Sequence, residues 1–284
     1  MALDKLVDSS QLDADLTSVA NAIRTKGGTS AQLAFPAGFV SAVQAISSGM
    51  DLNDWVQNGP PQDVELETAT KILAGTFTYK SGLKTISGPN VTTIGARAFD
   101  NCTGLTSMSF PNVTSVTGDY VFQKLNSLTS VIFPKLTTAS GTGLFYQTRY
   151  GSSQLATIVL PAISNLGIQA FRQCKLKAVD CGPNYKQIKS DTFYYTNTAS
   201  GGNHIGVVIL RSTTLVTAAS RDAVRNLATI YIPQVLYDHL GDGSSSDYRA
   251  ATNWSTDASY HNFYPIEGSI YENAYADGTP IPTT

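Results

Sequence analysis

Charge is what this sequence has least of. Asp, Glu, Lys and Arg make up 14% of its 284 residues, against about 25% in typical soluble domains. The net charge is −2 and no stripe of Lys and Arg forms, so no nucleic-acid partner is expected. No run of about 18 apolar residues occurs, so nothing reads as inserting into a membrane. The opening MALDKLVDSS has neither a basic region nor a long apolar stretch, so no export signal is expected. Glutamate is confined to Glu65, Glu67, Glu267 and Glu272. The histidines, His204, His239 and His261, have no partner four residues away and no HExxH context, and neither G-x-S-x-G nor a P-loop is present. A glycosidase needs two carboxylates at a fixed separation, yet Asp100, Asp119, Asp180 and Asp191 fall at unlike places. The stretch from Asp242 to Asp247 lacks the ligand count of a calcium loop. The expectation is therefore no catalytic residue, no cofactor and no metal. Cysteines number three, an odd count. Cys102, Cys174 and Cys181 read as small buried hydrophobes with free thiols.

What the chain does have is repetition. Phe77, Phe99, Phe122, Phe145, Phe171 and Phe193 follow one another at intervals of 22, 23, 23, 26 and 22 residues. A second series, Ile72, Ile94, Val116, Ala139, Leu166 and Ile188, runs five or six residues ahead of it. A third is Pro89, Pro111, Pro134, Pro161 and Pro183, each behind an apolar stretch such as LTSMSFP or LATIVLP. A period of this length marks a solenoid, and L-x-x-L-x-L is a leucine-rich-repeat pattern. Within one unit, Met108 and Phe110 are two apart and share a side of an extended segment. Pro111 ends the strand, Gly118 permits a left-handed bend, and Val121 and Phe122 close the coil. One coil cannot bury its own apolar face, so coils must stack. Six of them make a stack of roughly 25–30 Å with the phenylalanines in one column. Ala139, where Ile or Val is usual, predicts looser packing in its coil. Asn90, Asn101 and Asn112 begin N-x-[ST] sequons, which the repeat consensus explains better than glycosylation; Asn253 begins a fourth.

The string TTIGARAFDNCTGLTSMSFPNVTSV resembles the BspA-like leucine-rich repeat of bacterial surface proteins and of phage or prophage proteins. The resemblance implies an α+β solenoid: a coil stack with a parallel β-sheet, a small helical N-terminal module and a mixed C-terminal cap. The expected divisions are 1–50, a helical attachment or oligomerisation module; 51–68, a connector whose Trp55 covers the first coil; 69–204, the solenoid; and 205–284, cap and tail. In the first, VANAIRTKGGTSAQLAFPAGFVSAVQAI resembles an N-terminal segment common in phage tail and baseplate-associated proteins. In the last, IGVVIL and LATIYIP read as strands, PQVLYDHL and SDYRAATNW as short helices, and RAATNWS with FYPIEG resembles the family's cap. Residues 205–267 are thus expected to be a polar lid.

These resemblances imply a non-enzymatic virion component. Residues 1–50 would join other tail proteins or further copies of the chain, and the solenoid would bind a host-surface glycan or protein. A bacterial surface adhesin is the alternative, and a polysaccharide-degrading tail protein a second one. Insertions in repeat proteins collect on one face, which often binds. Here the turns after Phe145 (YQTRYGSSQ) and Phe193 (YYTNTASGGNH) are the long ones, flanking the short turn with Arg172, Gln173 and Lys175. The expected slot has Tyr146, Arg149 and Tyr150 on one wall, Tyr194 and Tyr195 on the other, and Arg172 and Gln173 between them.

Overall fold

The structure is a computed structural model and describes residues 62–148, 155–174, 176–194, 205–224, 227, 229–254 and 261–273. The expected helical module 1–50, Trp55 and the tail from 274 onward lie outside the described residues, as do Arg149, Tyr150, Lys175, Tyr195 and His204.

The strands run in chain order as β1 (Asp63–Glu65), β2 (Lys71–Ile72), β3 (Thr85–Ser87), β4 (Thr93–Ile94), β5 (Ser107–Ser109), β6 (Ser115–Val116), β7 (Ser130–Ile132) and β8 (Thr138–Ala139). They continue as β9 (Leu155–Leu160), β10 (Asn165–Leu166), β11 (Leu176–Cys181), β12 (Gln187–Ile188), β13 (Ile205–Leu210) and β14 (Thr217–Ala218). Helix α1 (Arg221–Val224), β15 (Thr229–Ile232), α2 (Gln234–Tyr237) and β16 (Asn262–Pro265) complete the described elements. Every pairing is parallel, because each strand meets its counterpart one coil later. One face carries β1-β3-β5 and then β7-β9-β11-β13-β15-β16; a second carries β2-β4-β6-β8-β10 and then β12-β14. This is the leucine-rich-repeat coil stack.

The register explains the core. Val64, Ile86 and Met108 are aligned by one ladder, and Val131, Ile158, Val179, Val208, Ile230 and Phe263 by the next; all are buried. The six phenylalanines form one buried column, with successive ring centroids 5.3, 5.6, 5.0, 6.1 and 5.5 Å apart and planes within 20°. Ala139 is buried, and its coil holds the shortest step in that column, Phe122 to Phe145. The expected looseness is therefore not visible along the phenylalanines. All three cysteines are buried free thiols. Cys102 Sγ donates to the carbonyl of Phe77 at 2.8 Å and Cys174 Sγ to that of Phe145 at 2.7 Å; Thr148 Oγ1 does the same for Phe122 at 3.1 Å. That position therefore wants a small donor as much as an apolar group. Asn90 and Asn112 bond back to the carbonyls of Glu67 and Pro89, so the sequon amides are engaged in holding coils together.

Past residue 204 the sheet runs on through β13, β15 and β16, and its end is closed by buried aromatic side chains, while the polar residues 241–245 of the same segment are exposed. Tyr248 packs against Trp254 and Phe263, its hydroxyl accepting the Val216 N–H at 3.0 Å, while Trp254 Nε1 donates to the Val216 carbonyl at 2.9 Å. This corrects one helix expectation: PQVLYDHL contains α2, but SDYRAATNW forms turns. The buried Tyr248 and Trp254 are six positions apart, on different sides of any helix, and Asn253 is left-handed (φ 67°). Beyond β16, Ile266 and Tyr271 return over the outer face of the sheet onto Val159, Ala178 and Ile209. There Arg211 grips Asp180 through Nε (3.0 Å) and Nη2 (2.8 Å) and donates from Nη2 to the Tyr271 carbonyl.

Candidate functional site: the turn face

The third side of each coil is built around its phenylalanine. Residues two before it, the phenylalanine itself and the residue two after it donate backbone N–H groups to the next coil. Gly75, Phe77 and Tyr79 bond to the carbonyls of Ala96, Ala98 and Asp100, and the same triplet recurs four more times at 2.8–3.1 Å. The alternation requires left-handed backbone. Gly75, Arg97, Tyr120, Gly143, Gln169 and Asp191, all two before a phenylalanine, have φ of 52–72°, and Tyr79, Asn101, Lys124, Gln147 and Gln173, all two after, have φ of 55–62°. Such residues cost about 1–2 kcal/mol each unless glycine, and the inter-coil ladder offsets that.

This backbone aims side chains into a continuous rail. Arg97 pairs with Asp100 (Nη1 to Oδ2, 3.1 Å), and its guanidinium lies 5.0 Å from the centre of the Tyr120 ring. Tyr120 meets Tyr146 edge-on at 5.6 Å. Its ring lies over Gly143, where a Cβ would come within 2.7 Å of it. Gln147 Nε2 donates to Gln173 Oε1 at 2.8 Å. At the far end Arg172 pairs with Asp191 at 3.0 Å and lies 5.3 Å over the Tyr194 ring. Its Nε is shielded from solvent and finds no acceptor. The two Arg–Asp–Tyr groups share one design with the positions exchanged: arginine stands before its phenylalanine in the first and after it in the second.

Of the expected slot, the structure brings Tyr146, Arg172, Gln173 and Tyr194 onto this face in successive coils. Arg172 is already bonded to Asp191 and stacked on Tyr194 instead of standing free between two walls. Arg97, Tyr120 and Gln147 escaped the sequence reading, which noted Asp100 and Asp191 only as carboxylates at unlike places. Counting each residue from its phenylalanine would have found them, since all stand two before, one after or two after it.

Elsewhere among the described residues the chemistry is sparse. Asp180 is committed to Arg211, and Asp247 accepts the N–H groups of Gly243 and Arg249. His239 Nδ1 and Asp242 Oδ2 are 2.6 Å apart, and that hydrogen bond, with the Ser244 N–H, holds the Asp242 carboxyl down at about 2. Both side chains are over two-fifths exposed, which makes this a surface contact. Among the described residues, no three His, Cys, Asp or Glu side chains gather as metal ligands, and no helix is long and apolar enough to cross a membrane. A recess of about 520 Å³ beside the first coils, lined by Lys71, Leu73, Gly95, Ala96, Thr117 and Gly118, has one ionisable group.

Residues 70–200 match, in six copies, the BspA type leucine rich repeat region. Among solved structures, the leucine rich repeat protein TpLRR of T. pallidum is similar at 22% identity and a TM-score of 0.43, over 52% of this chain and 74% of that one. The pneumococcal vaccine antigen PcpA is 16% identical with a TM-score of 0.41, over 66% of this chain and 41% of that one. A leucine-rich repeat protein from Bacteroides ovatus is 16% identical with a TM-score of 0.31, over 69% and 57%. No curated protein matches the chain.

Proposed function

We propose that this chain, with its six BspA-type repeats over residues 70–200, is a non-enzymatic binding scaffold that meets a host-surface ligand through the turn face. The supporting observation is the rail itself. The exposed Arg97 and the half-buried Arg172, three tyrosines and paired glutamine amides stand along successive coils, with their geometry fixed by neighbours before any ligand arrives. Preorganised aromatic and arginine side chains are what binding surfaces favour. The carrier in this proposal is a phage tail or baseplate, joined by residues 1–50 to other virion proteins or to further copies of the chain. Its support is the KGGTS…FPAGF resemblance, a stretch that the repeat match does not reach.

Immunogold labelling of virions from a producing strain tests the carrier, and adsorption of virions bearing Tyr120→Ala with Arg172→Ala tests the face. The expected results are label on the tail and adsorption lost with little change in melting temperature. A BspA-type repeat is equally at home in a bacterial surface adhesin, and label on the cell envelope with none on particles would establish that reading instead. Release of reducing ends from host capsule or wall glycan would favour a polysaccharide-degrading tail protein.

A further inference from the structure

We propose that the rail takes a neutral, linear glycan laid along the stack, with about one sugar ring per coil. The inference rests on the binding role proposed above and narrows it to one ligand chemistry. Spacing is the first reason. Phenylalanine rings in the five coils that carry the rail are 5.0–6.1 Å apart, the scale of one pyranose unit in an extended chain. A ligand with that repeat meets equivalent backbone and neighbouring side chains at every step.

Charge is the second reason. Each arginine of the rail already has its carboxylate, Arg97 with Asp100 and Arg172 with Asp191. A phosphate, sulfate or uronate would have to displace an aspartate at both ends to gain a full ion pair. A sugar hydroxyl displaces nothing. It accepts from the free N–H groups of the exposed Arg97 guanidinium and donates to the part-exposed Asp191 carboxylate. Between the pairs stand the rings of Tyr120 and Tyr146, the amides of Gln123, Gln147 and Gln169, and one charge of each sign in a single turn, Asp119 and Lys124, so the stretch carries no net charge. Ring faces suit the apolar faces of pyranoses, and amides suit their hydroxyl edges.

The test uses the full chain and isothermal titration calorimetry. The probes are β-1,4- and α-1,4-linked glucose oligomers of two to about eight units, with polygalacturonate and heparin as anionic probes. Affinity for at least one neutral series should rise with length to about five units and then level off, and should change little between low and moderate salt. Tyr120→Ala and Arg172→Gln should each weaken it by about tenfold, whereas Tyr264→Ala, on the sheet face, should leave it unchanged; matched melting curves show that all variants fold. Tighter, steeply salt-dependent binding of an anionic probe overturns the proposal, and so does affinity independent of length. Failure of both neutral series at millimolar concentration overturns it too. If that failure comes with adsorption still abolished by the rail variants, the ligand is a protein or an anionic polymer and the binding role stands. If adsorption is also untouched, the binding role falls with it.

Discussion

Tyr185 should be a residue whose hydroxyl harms the fold and whose ring sustains it. It occupies the inward place filled in earlier coils by Val91, Val113, Leu136 and Ile163, is 1% exposed, and has a phenolic oxygen shielded from water with no hydrogen-bond partner. Burial pushes its ionisation well above the ordinary phenol range, and the nearby Cys181 thiol adds to this. A buried hydroxyl that lacks a partner costs about 1–3 kcal/mol of lost hydration. Tyr185→Phe removes that cost and keeps the ring, so it should stabilise the protein by roughly 1 kcal/mol. Tyr185→Ala removes the ring and leaves a cavity, at a cost of about 3–5 kcal/mol. Urea unfolding followed by circular dichroism measures both, and an unchanged slope shows that the comparison is between like states. A Tyr185→Phe protein less stable than wild type would refute the reasoning, because it would mean that the hydroxyl is satisfied by an ordered water.

Phe122→Ala opens the middle of the aromatic column, where Phe122 touches Phe99, Phe133 and Phe145; it should cost about 3–5 kcal/mol in the same assay, and a loss under 1 kcal/mol would contradict a single continuous core. Gly143→Ala places a methyl 2.7 Å from the Tyr120 ring at a left-handed position (φ 66°), so a loss of about 1–2 kcal/mol is expected, together with weaker ligand binding as the ring is displaced. Alkaline pH should destabilise the fold: burial pushes the Cys102 thiol from 9.0 up to about 12 and raises Cys181, Tyr185 and Tyr248. The unfolded chain releases those protons first, so their contribution is complete below about pH 9 and declines as pH climbs from there through 12. A flat urea midpoint between pH 8 and pH 11 would count against that burial.

Much of the fold was legible because stacking imposes a period on the sequence. Ile94, Val116 and Phe122 recur where the coil must be filled, and Pro111 recurs where the ladder must stop, so the strands, the column and the thiol environments follow from spacing. The cap was harder to read. Tyr248, Trp254 and Phe263 close the stack by packing on one another from separate turns, and no periodicity records such contacts. SDYRAATNW has helix-compatible composition, yet burial of both of its large aromatics outweighs local preference. The site was half legible for a related reason. Tyr146, Arg172, Gln173 and Tyr194 drew notice because they flank long turns, whereas Arg97 and Tyr120 sit in short turns of ordinary length. Their significance lies in the column they share, which appears only once left-handed positions are counted from each phenylalanine.

Those left-handed positions also bear on why the rail exists. Stacking alone would be served by glycine two residues before every phenylalanine, as at Gly75 and Gly143, with no steric cost. Four of the six coils instead place Arg97, Tyr120, Gln169 or Asp191 there, each in a conformation that disfavours side chains by about 1–2 kcal/mol. The exceptions are informative. Gly75 opens the series, ahead of any rail contact, and Gly143 is where the Tyr120 ring needs the room. Strain retained at these places, and relieved within the rail only at Gly143, where a neighbouring ring requires it, fits a surface shaped for contact better than one shaped for packing. The internal partners point the same way. Arg97 and Arg172 are each fixed by a carboxylate on one side and a tyrosine ring on another, which aligns two long side chains that would otherwise lose rotamer entropy on binding. A surface needing only solubility would leave them free.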